Sequence, residues 1–205
     1  IRIKQNGIQC DRAGIDYNNF SLGAYKHFRK TFKKIKTKSV SLDCLKLREI
    51  KTDGEISTIK RGFAVSNKIL KKGLNNFKDF KRESEVSGFL EYETKKLGLD
   101  LSFPAIVGSG NNGSIPHYFP QNVKLKKGFC VIDFGIKFKG YCTDITRTSY
   151  FGNPSDKERK MYDLLLGVQK NIINSIKIKD RCGKIYEDCI KGLGKYSEDF
   201  IHGVG

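Results

Sequence analysis

Two aspartates, Asp133 and Asp144, are the residues of this chain whose type and spacing best fit catalytic chemistry. They lie on two adjacent segments of strand character, and Lys139-Gly140 between these segments fits a two-residue hairpin turn. With that turn, residues whose numbers sum to 279 are opposite each other, so Asp144 faces Gly135 and Asp133 lies diagonally on the same face. Such diagonal neighbours are roughly 7–8 Å apart at the backbone, so the two carboxylates can converge.

Alternation along the first segment separates an apolar face from the face that carries Asp133. The apolar face holds Cys130, Ile132, Phe134, Ile136 and Phe138, and the other face holds Val131, Asp133, Gly135 and Lys137. The pairing depends on the turn length, because a slip of one residue would place the two aspartates on different faces. We expect Gly135, which lacks a side chain, to leave room for an ion between them.

Two carboxylates that share a half-buried site repel each other, and this repulsion raises the pKa of one of them unless a cation neutralises the charge. Oxygen ligands suit divalent ions such as Mn²⁺, Mg²⁺ or Co²⁺, and a carboxylate that bridges two ions can place an activated water between them. The residues alone leave two alternatives open. Asp133 and Asp144 could be ordinary surface strand or turn residues, or the acid and base of a glycosidase.

Helices and strands are both expected to position these residues. Apolar spacing and capping residues predict helices over 20–34, 53–73, 83–97, 155–176 and 183–193. Asp53 is expected to cap the second of these, and Ser155 with Glu158 forms a capping box for the fourth. Strands are predicted over 39–42, 103–107, 129–138 and 141–151. Residues 14–17 are predicted to form a short strand that enters a turn, and residues 200–205 a strand that enters a loop. The mixture predicts an α/β (α+β) fold.

The composition restricts the class of protein. The 205 residues carry 39 Lys+Arg against 22 Asp+Glu, a net charge of +17 that would suit a nucleic-acid partner. The lysines are spread along the chain, however, and the densest basic run, 29–38, is better explained as a solvated surface. No apolar run reaches 18 residues, so no membrane-spanning helix is expected. Six cysteines without a Cys-x-x-Cys pair predict reduced thiols in the cytoplasm, although the first residue is Ile and a removed signal peptide is left open.

A series of motifs gives these residues a family context. In order they are Leu47-Arg48-x-Ile50-Lys51-x-x-x-Glu55-Ile56, Phe103-Pro104-x-Ile106-Val107-Gly108-Ser109-Gly110-x-Asn112, Pro116-His117-Tyr118, Leu125-Lys126-x-Gly128, Asp133-Phe134-Gly135 and Gly140-Tyr141-x-x-Asp144-Ile145-Thr146-Arg147-Thr148. Their order and spacing resemble the M24 metallopeptidases of the pita-bread fold, in particular the Xaa-Pro branch of aminopeptidase P and prolidase. The resemblance implies that residues 1–46 are the C-terminal part of a creatinase-like N-terminal domain. Residues 47–205 would then be the first two-thirds of the pita-bread domain.

The resemblance also implies roles for four residues. In the family, two aspartates, one histidine and two glutamates hold two metal ions, and Asp133 and Asp144 match the chelating and the bridging aspartate. His117 matches a pocket histidine that binds substrate and assists proton transfer. His202 matches the first histidine of His-Gly-x-Gly-His, which contacts the substrate backbone. The metal-binding histidine would directly follow Gly205, and both glutamates would lie further on, so three of the five ligands are expected outside this sequence.

The activity that the resemblance implies is hydrolysis of the Xaa-Pro bond at peptide N-termini by a hydroxide bound to two divalent ions. Mn²⁺ is the expected metal, with Co²⁺ or Zn²⁺ as alternatives. We expect a proline-containing peptide as substrate, a homodimer at full length, no nucleic-acid partner, no membrane contact and a cytoplasmic location. The 205-residue chain is expected to be inactive by itself.

Other functions remain open at this point. The strongest rival is a pita-bread module without catalysis that binds a peptide, a histone or a nucleic acid, which the net charge of +17 would suit. Retention of Asp133, Asp144, His117 and His202 together argues against that rival. Among enzymes, a methionine aminopeptidase or a creatinase-like hydrolase would use similar residues.

Overall fold

A computed structural model describes residues 10–204 of the chain. The chain divides into two compact units, Ile1–Arg61 and Gly62–Gly205. The boundary predicted between residues 46 and 47 separates two domains of the family. The division into compact units does not test that boundary, which stays a prediction. Among the described residues, no helix has both the length and the apolar character needed to cross a membrane.

The first unit contains the predicted strand–helix–strand segment. Strand β1 (Arg12–Ile15) is followed by helix α1 (Leu22–Thr31) and by strand β2 (Lys36–Ser39), which pairs in parallel with β1. The Ser21 side chain caps α1 by accepting a hydrogen bond from the Ala24 backbone N–H. The prediction of a strand over 39–42 is wrong after Ser39, because helix α2 (Ser41–Glu49) begins there.

Four longer helices follow, largely where the apolar spacing predicts them. They are α3 (Asp53–Asn75), α4 (Glu83–Lys96), α5 (Asp156–Ser175) and α6 (Cys182–Leu193). Short 3₁₀ helices lie at Phe77–Asp79, Gly110–Ser114 and Gly194–Asp199. The prediction of a strand that enters a loop within residues 200–205 is wrong in its strand part, because residues 200–204 have no strand structure. Residue 205 lies outside the described part of the chain.

Capping signals are correct for one helix and displaced by a residue for another. The predicted box of Ser155 and Glu158 is confirmed at the start of α5. At the start of α3, Thr52 and not Asp53 is the capping residue. Its hydroxyl accepts from the Glu55 backbone N–H at 3.3 Å, and the Glu55 carboxylate accepts from the Thr52 N–H at 2.7 Å.

Two antiparallel sheets of the second unit carry the candidate site. One has the order β4 (Ile106–Ser109), β5 (Gly128–Phe134) and β8 (Ile145–Phe151). The other has the order β3 (Asp100–Leu101), β6 (Ile136–Phe138) and β7 (Tyr141–Cys142). The predicted hairpin register is confirmed, since Phe138 pairs with Tyr141 and Phe134 with Ile145. The predicted continuity is wrong, because each long strand is broken, at Gly135 and at residues 143–144.

The core of this unit explains which face remains available for a site. The apolar face of β5 packs into a buried cluster whose members are Ile69, Leu70, Phe77, Val86, Leu90, Ala105, Val107, Leu125, Cys130, Ile132, Phe134, Ile136 and Ile145. Along β5, buried residues alternate with less buried ones as the sequence predicts. Asp133 therefore lies on the face that points away from the core.

Candidate metal and substrate site

The two predicted metal ligands are neighbours at the break in the hairpin. Asp133 is the penultimate residue of β5 and pairs with Thr146 of β8, and Asp144 immediately precedes β8. The Thr146 hydroxyl donates a hydrogen bond to Asp133 Oδ1 at 2.8 Å, which orients that carboxylate. The structure thus brings Asp133 and Asp144 together in the way the register predicts.

The environment of Asp144 shows the cost of placing two acids together. Partial burial raises the pKa of the Asp144 carboxyl, and the negative charge of Asp133 and a hydrogen bond with it raise it further. A raised pKa means that the charged Asp144 carboxylate is less stable at this site than it is in water. A bound cation or a shared proton would relieve this repulsion.

The backbone that aims Asp144 is fixed by its neighbour Thr143, which is 1% exposed. A Cβ atom on Gly135 would collide with the Thr143 carbonyl oxygen, so glycine is required for close approach of the two chain segments. Ser102 Oγ donates to the same carbonyl at 2.8 Å, and Thr143 Oγ1 lies 2.6 Å from Ser66 Oγ. The expectation that Gly135 makes room for an ion is therefore wrong. Its missing side chain accommodates the backbone of Thr143.

A pocket of about 340 Å³ brings the predicted histidines to the same place as Asp133. His117, His202, Asp133 and Thr146 all line it, and the ring centroids of the two histidines are 6.3 Å apart. His202 Nδ1 lies 2.8 Å from the Gly203 carbonyl oxygen, and since a carbonyl only accepts, Nδ1 carries the proton in this contact. Asp144 does not line the pocket itself but adjoins Asp133. The structure supports the grouping of these residues, while their roles stay predictions.

The donors present fit a divalent cation in kind but fall short in number. Paired carboxylate oxygens are suitable ligands for Mn²⁺ and similar ions. Within residues 10–204, however, no group of three or more His, Cys, Asp or Glu side chains could hold a metal ion. Two carboxylates of this part of the chain would therefore hold an ion only weakly unless further ligands join them.

A buried network that the sequence does not reveal supports the wall of the pocket. Glu83, the first residue of α4, is 0% exposed, and its carboxylate accepts hydrogen bonds from Ser109, Asn112 and Tyr118. Burial by itself would raise the pKa of Glu83, but these hydrogen bonds outweigh burial and lower it. Burial and the Glu83 carboxylate raise the pKa of Tyr118 to about 12. A glutamate in the first turn of a helix is usually solvated, so its sequence position gives no sign of this burial.

Comparison with known proteins places these residues in a family. The model of metallopeptidase family M24 matches residues 57–205. An uncharacterized peptidase of Staphylococcus saprophyticus is 36% identical over 165 residues, covering 78% of this chain and 47% of that protein. The Xaa-Pro dipeptidase of Pyrococcus furiosus is 33% identical over 182 residues, covering 86% of this chain and 50% of that protein. The chain thus spans about half the length of these curated relatives.

Solved structures agree with this placement. The Xaa-Pro dipeptidase of Bacillus anthracis superposes with a TM-score of 0.84 at 30% identity, covering 98% of this chain and 57% of that one. The predicted pita-bread fold is confirmed by this likeness, over about half of the longer chain. The match of a family model to most of the chain, together with relatives above 30% identity, shows that this protein belongs to metallopeptidase family M24.

Proposed function

We propose that this chain supplies the two aspartate ligands and the two substrate histidines of an Xaa-Pro peptidase, an enzyme that hydrolyses the bond before proline at peptide N-termini. The observation that carries the proposal is the shared pocket of His117, His202 and Asp133, with Asp144 beside Asp133. Membership of the M24 family makes the protein a peptidase in kind. The 33% identity with an Xaa-Pro dipeptidase supports the finer specificity.

Asp133 and Asp144 would hold the divalent ions of this site. Such ions supply a Lewis acid and lower the pKa of water when they are bound. The Thr146 hydroxyl fixes one oxygen of Asp133, which leaves the other oxygen and Asp144 to face a cation. Mn²⁺ is the proposed metal, with Co²⁺ or Zn²⁺ as alternatives, because carboxylate oxygens can bind all three ions.

His117 and His202 would bind the peptide backbone next to this pair. A neutral imidazole has one donor and one acceptor nitrogen, which suits the N–H and C=O groups of a peptide. In His202 the donor Nδ1 contacts the Gly203 carbonyl oxygen, so Nε2 is the acceptor in that tautomer. We propose that His117 also moves a proton to or from the substrate, since imidazole can act as both acid and base.

Two carboxylates give an incomplete binding site, and we propose that the remaining ligands come from outside the described residues. The 205-residue chain by itself would then be inactive. We further propose a proline-containing peptide as substrate, a homodimer, and no nucleic-acid or membrane partner. The cytoplasm is the proposed location, which six free cysteines support because thiols stay reduced there.

The experiment compares the 205-residue chain with a longer protein that contains it. Each is assayed with Mn²⁺, Co²⁺ or Zn²⁺ on an Xaa-Pro dipeptide, an Xaa-Pro-Yaa peptide and a methionine peptide. We expect Xaa-Pro cleavage by the longer protein alone, and loss of that cleavage in Asp133→Asn and Asp144→Asn. Asp163→Asn, an exposed aspartate on α5, is the matched control and should keep full activity.

Three other outcomes would each contradict a part of this proposal. Turnover by the 205-residue chain would contradict its proposed inactivity. Cleavage of the methionine peptide alone would replace the Xaa-Pro assignment with a methionine aminopeptidase. Tight peptide binding without cleavage by the longer protein would support a binding module in place of an enzyme.

A further inference from the structure

His117 lies in a turn whose conformation is held by other residues. It follows the 3₁₀ helix Gly110–Ser114, is exposed, and has a φ angle of 54°, in the left-handed region. That backbone conformation is uncommon for a residue other than glycine, although histidine adopts it more readily than most, and neighbouring contacts help to hold it. The place of the imidazole in the pocket therefore depends on how the adjoining residues are fixed.

The adjoining Tyr118 is fixed by a buried carboxylate. The Tyr118 hydroxyl donates to Glu83 Oε2 at 2.8 Å and accepts from Asn112 Nδ2 at 2.9 Å. Glu83 Oε1 accepts from Asn112 Nδ2 at 3.0 Å and from the backbone N–H and the hydroxyl of Ser109, each at 2.8 Å. Ser109 ends β4, Asn112 lies in the 3₁₀ helix, and Tyr118 follows His117. Hydrogen bonds thus tie Asn112, which lines the pocket, to the start of α4. They also tie Ser109 and Tyr118, the chain neighbours of the lining residues Gly108 and His117, to the same point.

We propose that Glu83 is a positioning residue for His117, acting through Ser109, Asn112 and Tyr118, an inference that rests on the proposed peptidase function. Every partner donates to the carboxylate, so the ionised form satisfies all of them at once. Hydrogen bonds to a charged acceptor are stronger than those between neutral groups. The network therefore holds the turn of His117 firmly although His117 itself is exposed.

Three variants separate the effect of the Glu83 charge, the effect of its hydrogen bond to Tyr118 and any effect on folding. Glu83→Leu removes every acceptor. Glu83→Gln keeps an oxygen for Ser109 and Asn112, and its amide can donate to the Tyr118 hydroxyl, whose own proton then has no acceptor on residue 83. Tyr118→Phe removes the connection next to His117, including the bond that the Tyr118 hydroxyl accepts from Asn112, and leaves the bonds of Ser109 and Asn112 to Glu83 in place.

The first measurement is NMR on the 205-residue chain, with the His117 imidazole signal assigned by its loss in His117→Ala. We expect Glu83→Leu and Tyr118→Phe to shift that signal and to speed amide exchange over residues 110–118 by about tenfold. Glu83→Gln, which keeps the connections but loses the charge, should give a smaller change in the same direction. Ser155→Ala, at the start of α5, is the matched control and should move neither. An unmoved His117 signal in a folded Tyr118→Phe chain overturns the proposal. If Glu83→Leu does not fold, Tyr118→Phe alone decides.

The second measurement is a double-mutant cycle in the longer protein of the peptidase assay. Tyr118→Phe should lower kcat/KM by about tenfold, as expected for a misplaced catalytic group. In a His117→Ala background the same change should cost nothing further, because the group that it positions is absent. Losses that multiply instead would show a merely structural role and overturn the proposal. Wild-type protein without peptidase activity would refute the proposed function, and the NMR result would then decide this inference by itself.

Discussion

Two sets of carboxylates in the unit Gly62–Gly205 have opposite surroundings: the pair of Asp133 and Asp144, and the single residue Glu83. Asp144 lies beside Asp133, and burial together with that like charge raises its pKa. Glu83 is more deeply buried, yet the hydrogen bonds that it accepts from Ser109 and others lower its pKa. Burial alone therefore does not identify a reactive acid. What distinguishes the two sets is whether protein donors or another carboxylate face the oxygens.

The difference assigns separate tasks to acids that look alike in the sequence. Glu83 has its oxygens occupied by donors of the same chain, so it stabilises a loop and offers little to a ligand. Asp133 accepts from Thr146 and faces Asp144, an arrangement that a cation would stabilise. Four substitutions test this contrast, from the largest expected effect to the smallest.

Glu83→Leu should have the largest effect on stability. We expect a loss of about 3 kcal/mol or more in the free energy of unfolding, because several buried donors lose their acceptor. The measurement is urea unfolding at neutral pH. Glu91→Leu, the same change at an exposed position of α4, is the matched control and should stay within about 0.5 kcal/mol of wild type. Equal losses in both variants would remove the basis of the contrast.

Gly135→Ala should come next, since it disturbs the backbone that aims Asp144. The added methyl group would meet the Thr143 carbonyl oxygen and Ser102 Oγ, and we expect a cost of about 1–3 kcal/mol. Gly88→Ala is the control, because Gly88 lies inside α4 and a Cβ added there would meet nothing within 4 Å, so alanine should stabilise by up to about 1 kcal/mol. Unfolding curves that show no loss for Gly135→Ala would contradict the described close approach.

Ser155→Ala tests a carboxylate that donors hold at the surface. The Ser155 hydroxyl and backbone N–H hold the pKa of Glu158 at about 2. Loss of this cap should cost about 1 kcal/mol at neutral pH. A depressed folded pKa means that the stability is fully present above the ordinary value of 4.5 and is lost as pH falls through about 2. Thermal unfolding should therefore show the difference from wild type shrinking below pH 4.5, and a difference that grows there would contradict the account.

Asp144→Asn should have the smallest effect, of the opposite sign. Without added metal, we expect this variant to be more stable than wild type at neutral pH, by no more than about 1 kcal/mol because the site is largely exposed. The raised folded pKa of Asp144 means that wild type gains stability as pH falls through that value toward 3.8, so the advantage of the variant should fade. Urea unfolding between pH 7 and pH 4 measures this trend. Destabilisation by Asp144→Asn at neutral pH would show that the aspartates do not repel each other.

Local features of the fold were predictable from local signals. The hairpin register followed from the Lys139-Gly140 turn and the alternation around it, and the start of α5 followed from Ser155 and Glu158. Helix α2 escaped prediction because its leucines form no single stripe, and Leu42, Leu45 and Leu47 are 55–81% exposed. The breaks at Gly135 and residues 143–144 come from a backbone contact between separate strands, which residue patterns do not encode.

The site was predictable only in part for the same physical reason. The aspartate pair follows from hairpin geometry, which is local. The meeting of His117 with His202 joins residues far apart in the chain, and only the resemblance to a family indicated it. The burial of Glu83 depends on partners such as Ser109 and Tyr118 in another segment, so the residues near Glu83 in the sequence do not predict it.

The most direct test of the central claim is an Mn²⁺ titration of the 205-residue chain followed by NMR, in which the paramagnetic ion broadens nearby signals even when it binds weakly. We predict that the signals of Asp133, Asp144 and Thr146 broaden first. Asp144→Asn should abolish this effect, and Glu83→Gln should leave it intact. Equal broadening in the Asp144→Asn chain, or selective broadening around Glu83, would contradict the assignment of cation binding to the aspartate pair.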